Sequence, residues 1–77
     1  MNAEALCELI NREFRLNPSI SVDAPVLSSG RVDSLRFAEL VMLVEQAFAV
    51  TLELSDLGYD NFDTPRQMTT TALETAR

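Results

Sequence analysis

The sequence predicts an all-α fold: a small four-helix bundle of three longer helices and one short helix, with a long loop between helices one and two. Three observations carry this. Apolar residues recur at helical spacing after Asn2 and again after Ser34. Thr64-Pro65-Arg66-Gln67 spells a helix start, with Thr as N-cap, Pro at the first helical position and Gln closing a capping box. The one alternating stretch, Val50, Leu52 and Leu54, has no second strand to pair with, so it reads as an extended loop that drops one of these residues into the core.

The first helix, Asn2 to Phe14, places Leu6, Leu9, Ile10 and Phe14 on one face, among Glu4, Glu8, Arg12 and Glu13. Cys7, beside Leu6 and Ile10, is expected to be a small buried filler, because no cation or histidine lies near it in sequence to lower its pKa. Asn17-Pro18 ends this helix. Ser19 to Arg31, interrupted by Pro25 and Gly30, then forms a long ordered loop. Its four apolar residues, Ile20, Val22, Val26 and Leu27, are expected to pin it across the helix ends.

Gly30 is followed by Asp33 and Ser34, two polar residues able to cap a helix, and then by a run to Phe48 free of Gly and Pro. The second helix is therefore placed at Ser34 to Phe48. Successive steps of about 100° gather Leu40, Val44, Phe37, Phe48, Val41, Leu43 and Ala47 on a core face. The other face holds Ser34 with Ala38, Leu35, Glu39, Met42, Glu45 and Gln46. Leu35 and Met42, apolar residues on a wet face beside Glu39 and Glu45, mark a small docking patch.

Past the extended loop, Ser55 to Asp63 can make one short helical turn anchored by Leu57, Tyr59 and Phe62. Asp56, Asp60 and Asp63 lack the alternating ligands, central glycine and terminal glutamate of a calcium loop, so no metal site is expected and the cluster reads as a solvated acidic surface. The last helix runs from Thr64 toward Ala76, turning Met68, Ala72 and Leu73 inward. Its threonine run, Thr69 to Thr71, lowers helix propensity, so tertiary packing must hold it.

Composition narrows the function. The 77 residues suffice for a single domain, 1–77, with one compact core. Twelve acidic residues against six basic ones give a charge of −6, which disfavours nucleic-acid backbones and anionic membranes and favours basic partner proteins. All six basic residues are arginine, and there is no histidine, so the usual neutral-pH bases and nucleophile pairs are missing. The chain is expected not to be an enzyme. One cysteine, no leader and no apolar run of spanning length point to the cytoplasm without membrane insertion, and a monomer is expected.

Gly30-Arg31-Val32-Asp33-Ser34-Leu35, followed by Glu39-Leu40-Val41-Met42 and Glu45-Gln46-Ala47-Phe48, resembles the acyl carrier protein family and its aminoacyl and peptidyl relatives. The likeness covers nearly the whole chain. It implies a covalent 4′-phosphopantetheine arm on Ser34, with Asp33 part of the motif a phosphopantetheinyl transferase recognises. It also implies partner docking through Leu35, Arg36, Glu39, Met42 and Glu45. Acyl- or aminoacyl-activating ligases would load the arm, and downstream transferases or synthases would unload it. Fatty-acid carriers usually have an acidic residue where this chain has Arg36, whereas Leu57 to Pro65 is more similar to stand-alone carriers for amino acids, including D-alanyl carrier proteins. The alternative is an unmodified acidic helical adaptor that binds a partner through the helix-two face.

Overall fold

In the computed structural model, which describes residues 1–76, α1 (Ala3–Glu13), α2 (Phe37–Phe48), α3 (Tyr59–Phe62) and α4 (Pro65–Thr75) follow in order, with a 3-10 turn at Leu54–Asp56 before α3. No strand occurs among the described residues. The Asn2 side chain caps α1 by accepting from the Ala5 amide at 2.8 Å. The capping box of α4 forms as its residues predict: Gln67 N–H donates to Thr64 Oγ1 at 3.1 Å, and Gln67 Oε1 accepts from Thr64 N–H at 2.9 Å. None of the described helices is long and apolar enough to cross a membrane.

The core is built from Leu6 and Ile10 of α1, Leu40 and Val44 of α2, Phe62 of α3, and Met68 and Ala72 of α4, with Val26 of the long loop; all are fully buried. Helix α4 packs against each of the other three. The Phe37 and Phe62 rings meet edge to face, 6.4 Å between centroids at 83°, which ties α2 to α3. Leu73, expected inside, is 49% exposed. Thr69 takes an inner position instead, because its hydroxyl donates to the Pro65 carbonyl at 2.9 Å and so needs no water. Thr71 donates to the Asn61 carbonyl at 2.6 Å, so the threonine run tethers α3 as well as lowering propensity.

The long loop is pinned as much by polar groups as by Ile20 and Val26. Asn11 brackets Ile20, accepting from its N–H at 2.8 Å and donating to its carbonyl at 3.0 Å. The Cys7 thiol donates to the same carbonyl at 3.2 Å, and burial pushes its pKa up, so the filler reading of this cysteine fits its surroundings. Of the residues offered by the extended loop, Leu52 is the one buried, and Leu54 stays out.

Asp63 departs from its expected place on a solvated surface. It is buried, and its Oδ1 accepts from the amides of Leu27 and Ser28, both at 2.9 Å, while Oδ2 accepts from the Ser28 hydroxyl at 2.5 Å. Burial pushes this carboxyl up, but the Ser28 hydroxyl and the amides of Ser28 and Leu27 outweigh it and hold it below the ordinary range. Its folded pKa therefore lies below the unfolded value of about 3.9. The stability it contributes is complete above that value and drains away as pH falls through the folded pKa. Asp23 shifts the same way through its hydrogen bond to Arg66, but that pair is exposed and adds little. Thermal midpoints followed from about pH 6 to about pH 2 should fall on the acid side, and Asp63→Asn should flatten part of that fall. Parallel curves for the two proteins would remove Asp63 from the acid limb.

Candidate functional site

The segment from Pro25 to Arg36 is held as a sequence of turns. The Ser29 hydroxyl donates to the Pro25 carbonyl at 2.6 Å, and the Gly30 amide donates to the Leu27 carbonyl at 3.1 Å. Gly30 has φ +80°, a conformation that a side chain would strain. The Val32 amide then returns to the Val26 carbonyl at 3.1 Å, and the Val32 side chain is buried, so the backbone is anchored just before Asp33.

At Asp33 the chain turns again. Both its carbonyl and its carboxylate Oδ1 accept from the Arg36 amide at 3.1 Å, which makes Ser34, Leu35 and Arg36 a turn ahead of the helix. Helix α2 begins at Phe37 and not at Ser34, because Arg36, at φ −104° and ψ 3°, leaves the helical region and closes the Asp33 turn as a separate unit. Ser34 is exposed, and no hydrogen bond engages its hydroxyl among the described residues, whereas the Ser28 and Ser29 hydroxyls are both taken. The cap is Asp33, and Ser34 is left as a free primary alcohol. The chain holds no histidine or lysine to serve as a neutral-pH base beside it.

Beside Ser34 lies an open groove of about 440 Å³, walled by Leu27, Gly30, Val32, Asp33, Ser34, Phe37, Leu57 and Tyr59. Tyr59, expected to anchor the short helix, is 62% exposed and forms part of this wall. Phe37, Leu57 and Tyr59 were legible as core or anchor residues, but their meeting next to Ser34 depends on α3 folding back toward the start of α2.

Of the residues singled out for docking, Leu35 is 88% exposed and Met42 55% exposed. Arg36 and Glu39 form an exposed ion pair at 3.1 Å, and the guanidinium also lies 4.4 Å from the centre of the Phe14 ring. Its charge is thus partly satisfied within the chain. A shallow depression of about 280 Å³ runs beside it, with Phe14, Glu39 and Met42 among its walls. Glu45 stands apart: it is half-buried, and its Oε2 accepts from the Leu52 amide at 2.8 Å, closing the loop that leaves α2. Asp63 was the supporting residue hardest to find in the sequence. Its one local hint was its place between a core phenylalanine and the Thr64-Pro65 helix start. Among the described residues, no cluster of acidic, cysteine or histidine side chains is arranged to hold a metal ion.

Comparison with known proteins bears on the same segment. The family model described as phosphopantetheine attachment site matches residues 4–72. The D-alanyl carrier proteins of Streptococcus pyogenes serotype M1 and serotype M49 (strain NZ131) are each 31% identical to this chain over 61 residues, spanning 79% of it and 77% of the relative. No solved structure gives a significant match. The matched span takes in α1, the long loop, α2, α3 and most of α4, and so includes the whole setting of Ser34. The chain therefore belongs to the phosphopantetheine-attachment family, whose members carry 4′-phosphopantetheine covalently and serve as carriers, not as enzymes.

Proposed function

We propose that Ser34 bears the 4′-phosphopantetheine arm, and that the protein holds an acyl or aminoacyl group on it as a thioester while partner enzymes load and unload it. The observation that carries this reading is the exposed, unbonded Ser34 hydroxyl, set in the turn that Asp33 caps at the head of α2 and beside a groove. The residues present fit the arm. A phosphodiester on Ser34 would sit one turn ahead of α2, on the side of its amino end, where the helix dipole favours an anion. The apolar walls given by Phe37, Leu57 and Tyr59 offer the rest of the arm a surface outside water. When bound, the arm supplies an accessible thiol nucleophile, which the buried Cys7 does not.

Asp33 fixes the turn that presents Ser34, and a phosphopantetheinyl transferase would read the two residues together. Leu35, Met42, Glu39 and the Arg36 edge form the face to which a ligase or downstream transferase docks, with Leu35 as the apolar anchor. Glu45 contributes mainly by shaping the loop behind that face. The D-alanyl carrier relatives support an amino acid as cargo over a long acyl chain, and the likeness between Leu57 and Pro65 points the same way. A coenzyme A-dependent modification step is compatible with the expected cytoplasmic setting.

Incubation with coenzyme A and a broad-specificity phosphopantetheinyl transferase, followed by intact mass and peptide mapping, tests the assignment. One arm should be gained on the fragment containing Ser34. An unchanged mass, under conditions that modify another carrier, would reject it.

A further inference from the structure

We infer that Asp63 is a positioning residue for the Ser34 site: its carboxylate latches the loop that delivers Ser34, while its neighbour Phe62 steadies the helix that follows. The inference rests on Ser34 being the attachment point. Asp63 has a firm base, because Phe62 is fully buried and the Asp63 amide donates to Gln67 Oε1 at 2.9 Å, the same oxygen that completes the α4 capping box. From this base three consecutive loop residues are fixed. The Asp63 carbonyl accepts from the Val26 amide at 2.8 Å, and the carboxylate takes the Leu27 and Ser28 amides and the Ser28 hydroxyl.

The fixation travels directly to the site. Val26 and Leu27 offer their carbonyls to the amides of Val32 and Gly30, both at 3.1 Å, and Val32 is two residues from Ser34. On the far side of the turn, Phe37 packs edge-on against Phe62. Adjacent residues thus grip the chain before and after Ser34. A solvated aspartate would do none of this. A carboxylate buried on backbone amides is strongly committed, since leaving those donors unmet is costly.

A loosened latch lowers the fraction of molecules that present the turn competently, and the apparent affinity of a transferase falls by that same fraction. Asp63→Ala should therefore lose about tenfold in kcat/KM for arm attachment, mainly through KM, when measured below its melting midpoint. Hydrogen exchange at Leu27, Ser28 and Val32 should quicken by about the same factor, with the α1 amides unaltered. Asp63→Asn keeps an acceptor for the two amides and should stay within about threefold of the wild type. A variant of α1 with a matched midpoint, drawn from Leu9→Ala and Ile10→Val, separates positioning from stability and should be modified at the wild-type rate. Should Asp63→Ala fail to fold, Ser28→Ala, which removes only the hydroxyl bond, should show about a threefold loss in the same comparison. The inference is overturned by wild-type kinetics in Asp63→Ala, or by an equal loss in the matched α1 variant. A wild type that accepts no arm would instead reject Ser34 as the attachment point, and unchanged exchange at Val32 in Asp63→Ala would then reject the latch as well.

Discussion

Cutting Phe62 back to alanine should leave the protein barely stable at 25 °C, with up to about half of the molecules unfolded. The side chain is completely buried, is among the largest in the core, and meets Phe37 edge to face. A buried Phe→Ala change costs about 3–5 kcal/mol, through lost transfer energy and the cavity left behind. A domain this small has a total stability at the low end of the usual range, about 5 kcal/mol. The loss therefore takes most of what holds the bundle together. It is concentrated because α3 is only four residues long and has no other buried side chain with which to hold on. Leu73→Ala is the natural comparison: the sequence pattern puts Leu73 inside, but at 49% exposure it should cost under about 1 kcal/mol. Urea melts followed by circular dichroism decide the matter. A Phe62→Ala protein within about 1 kcal/mol of wild type would mean that the core collapses around the gap.

How much could be read from the chain alone depended on the range over which each signal acts. The ends of α1 and α4 follow local rules, and Asn2 and the Thr64–Gln67 box cap them as written. The buried side of α2 follows its periodicity, with Leu40 and Val44 innermost. Where α2 begins was misplaced by one turn. Asp33 can cap there, but no local signal says that its turn ends at Arg36, outside the helical region, before the helix itself begins. Its other end passes through Ala49 in the left-handed region, where glycine would be usual, so no local letter marks the conformation there. Asp63 was opaque for a different reason. Its donors lie 35 and 36 residues away, and the sequence cannot say that a loop amide will meet it. The Asp33-Ser34-Leu35 run that resembles the family's attachment motif is contiguous and so stands in the sequence itself. The groove beside it does not, since Leu57 and Tyr59 reach it only through the fold.

Replacing Ser34 with alanine should abolish arm attachment completely and leave the melting temperature where it was. As a helix cap, Ser34 would be expected to cost stability when removed, but its hydroxyl has no hydrogen bond among the described residues, and the side chain is exposed. Deleting such a group falls within about 0.5 kcal/mol of neutral. Asp33→Ala should behave in the opposite way. It removes the carboxylate that accepts from the Arg36 amide, a cap worth about 0.5–2 kcal/mol. For a domain of this size each kilocalorie shifts the midpoint by about 4–8 °C. Asp33→Ala should thus melt several degrees lower while keeping its hydroxyl and a slower uptake of the arm. The pair separates chemistry from architecture at adjacent positions. It also separates a carrier from an unmodified adaptor, since an adaptor with an intact fold would keep its biological activity in Ser34→Ala. Intact mass after transferase treatment and a melting curve for each variant suffice. An arm found on Ser34→Ala would move the attachment point elsewhere, and a midpoint for Ser34→Ala as low as that of Asp33→Ala would return the capping role to the serine.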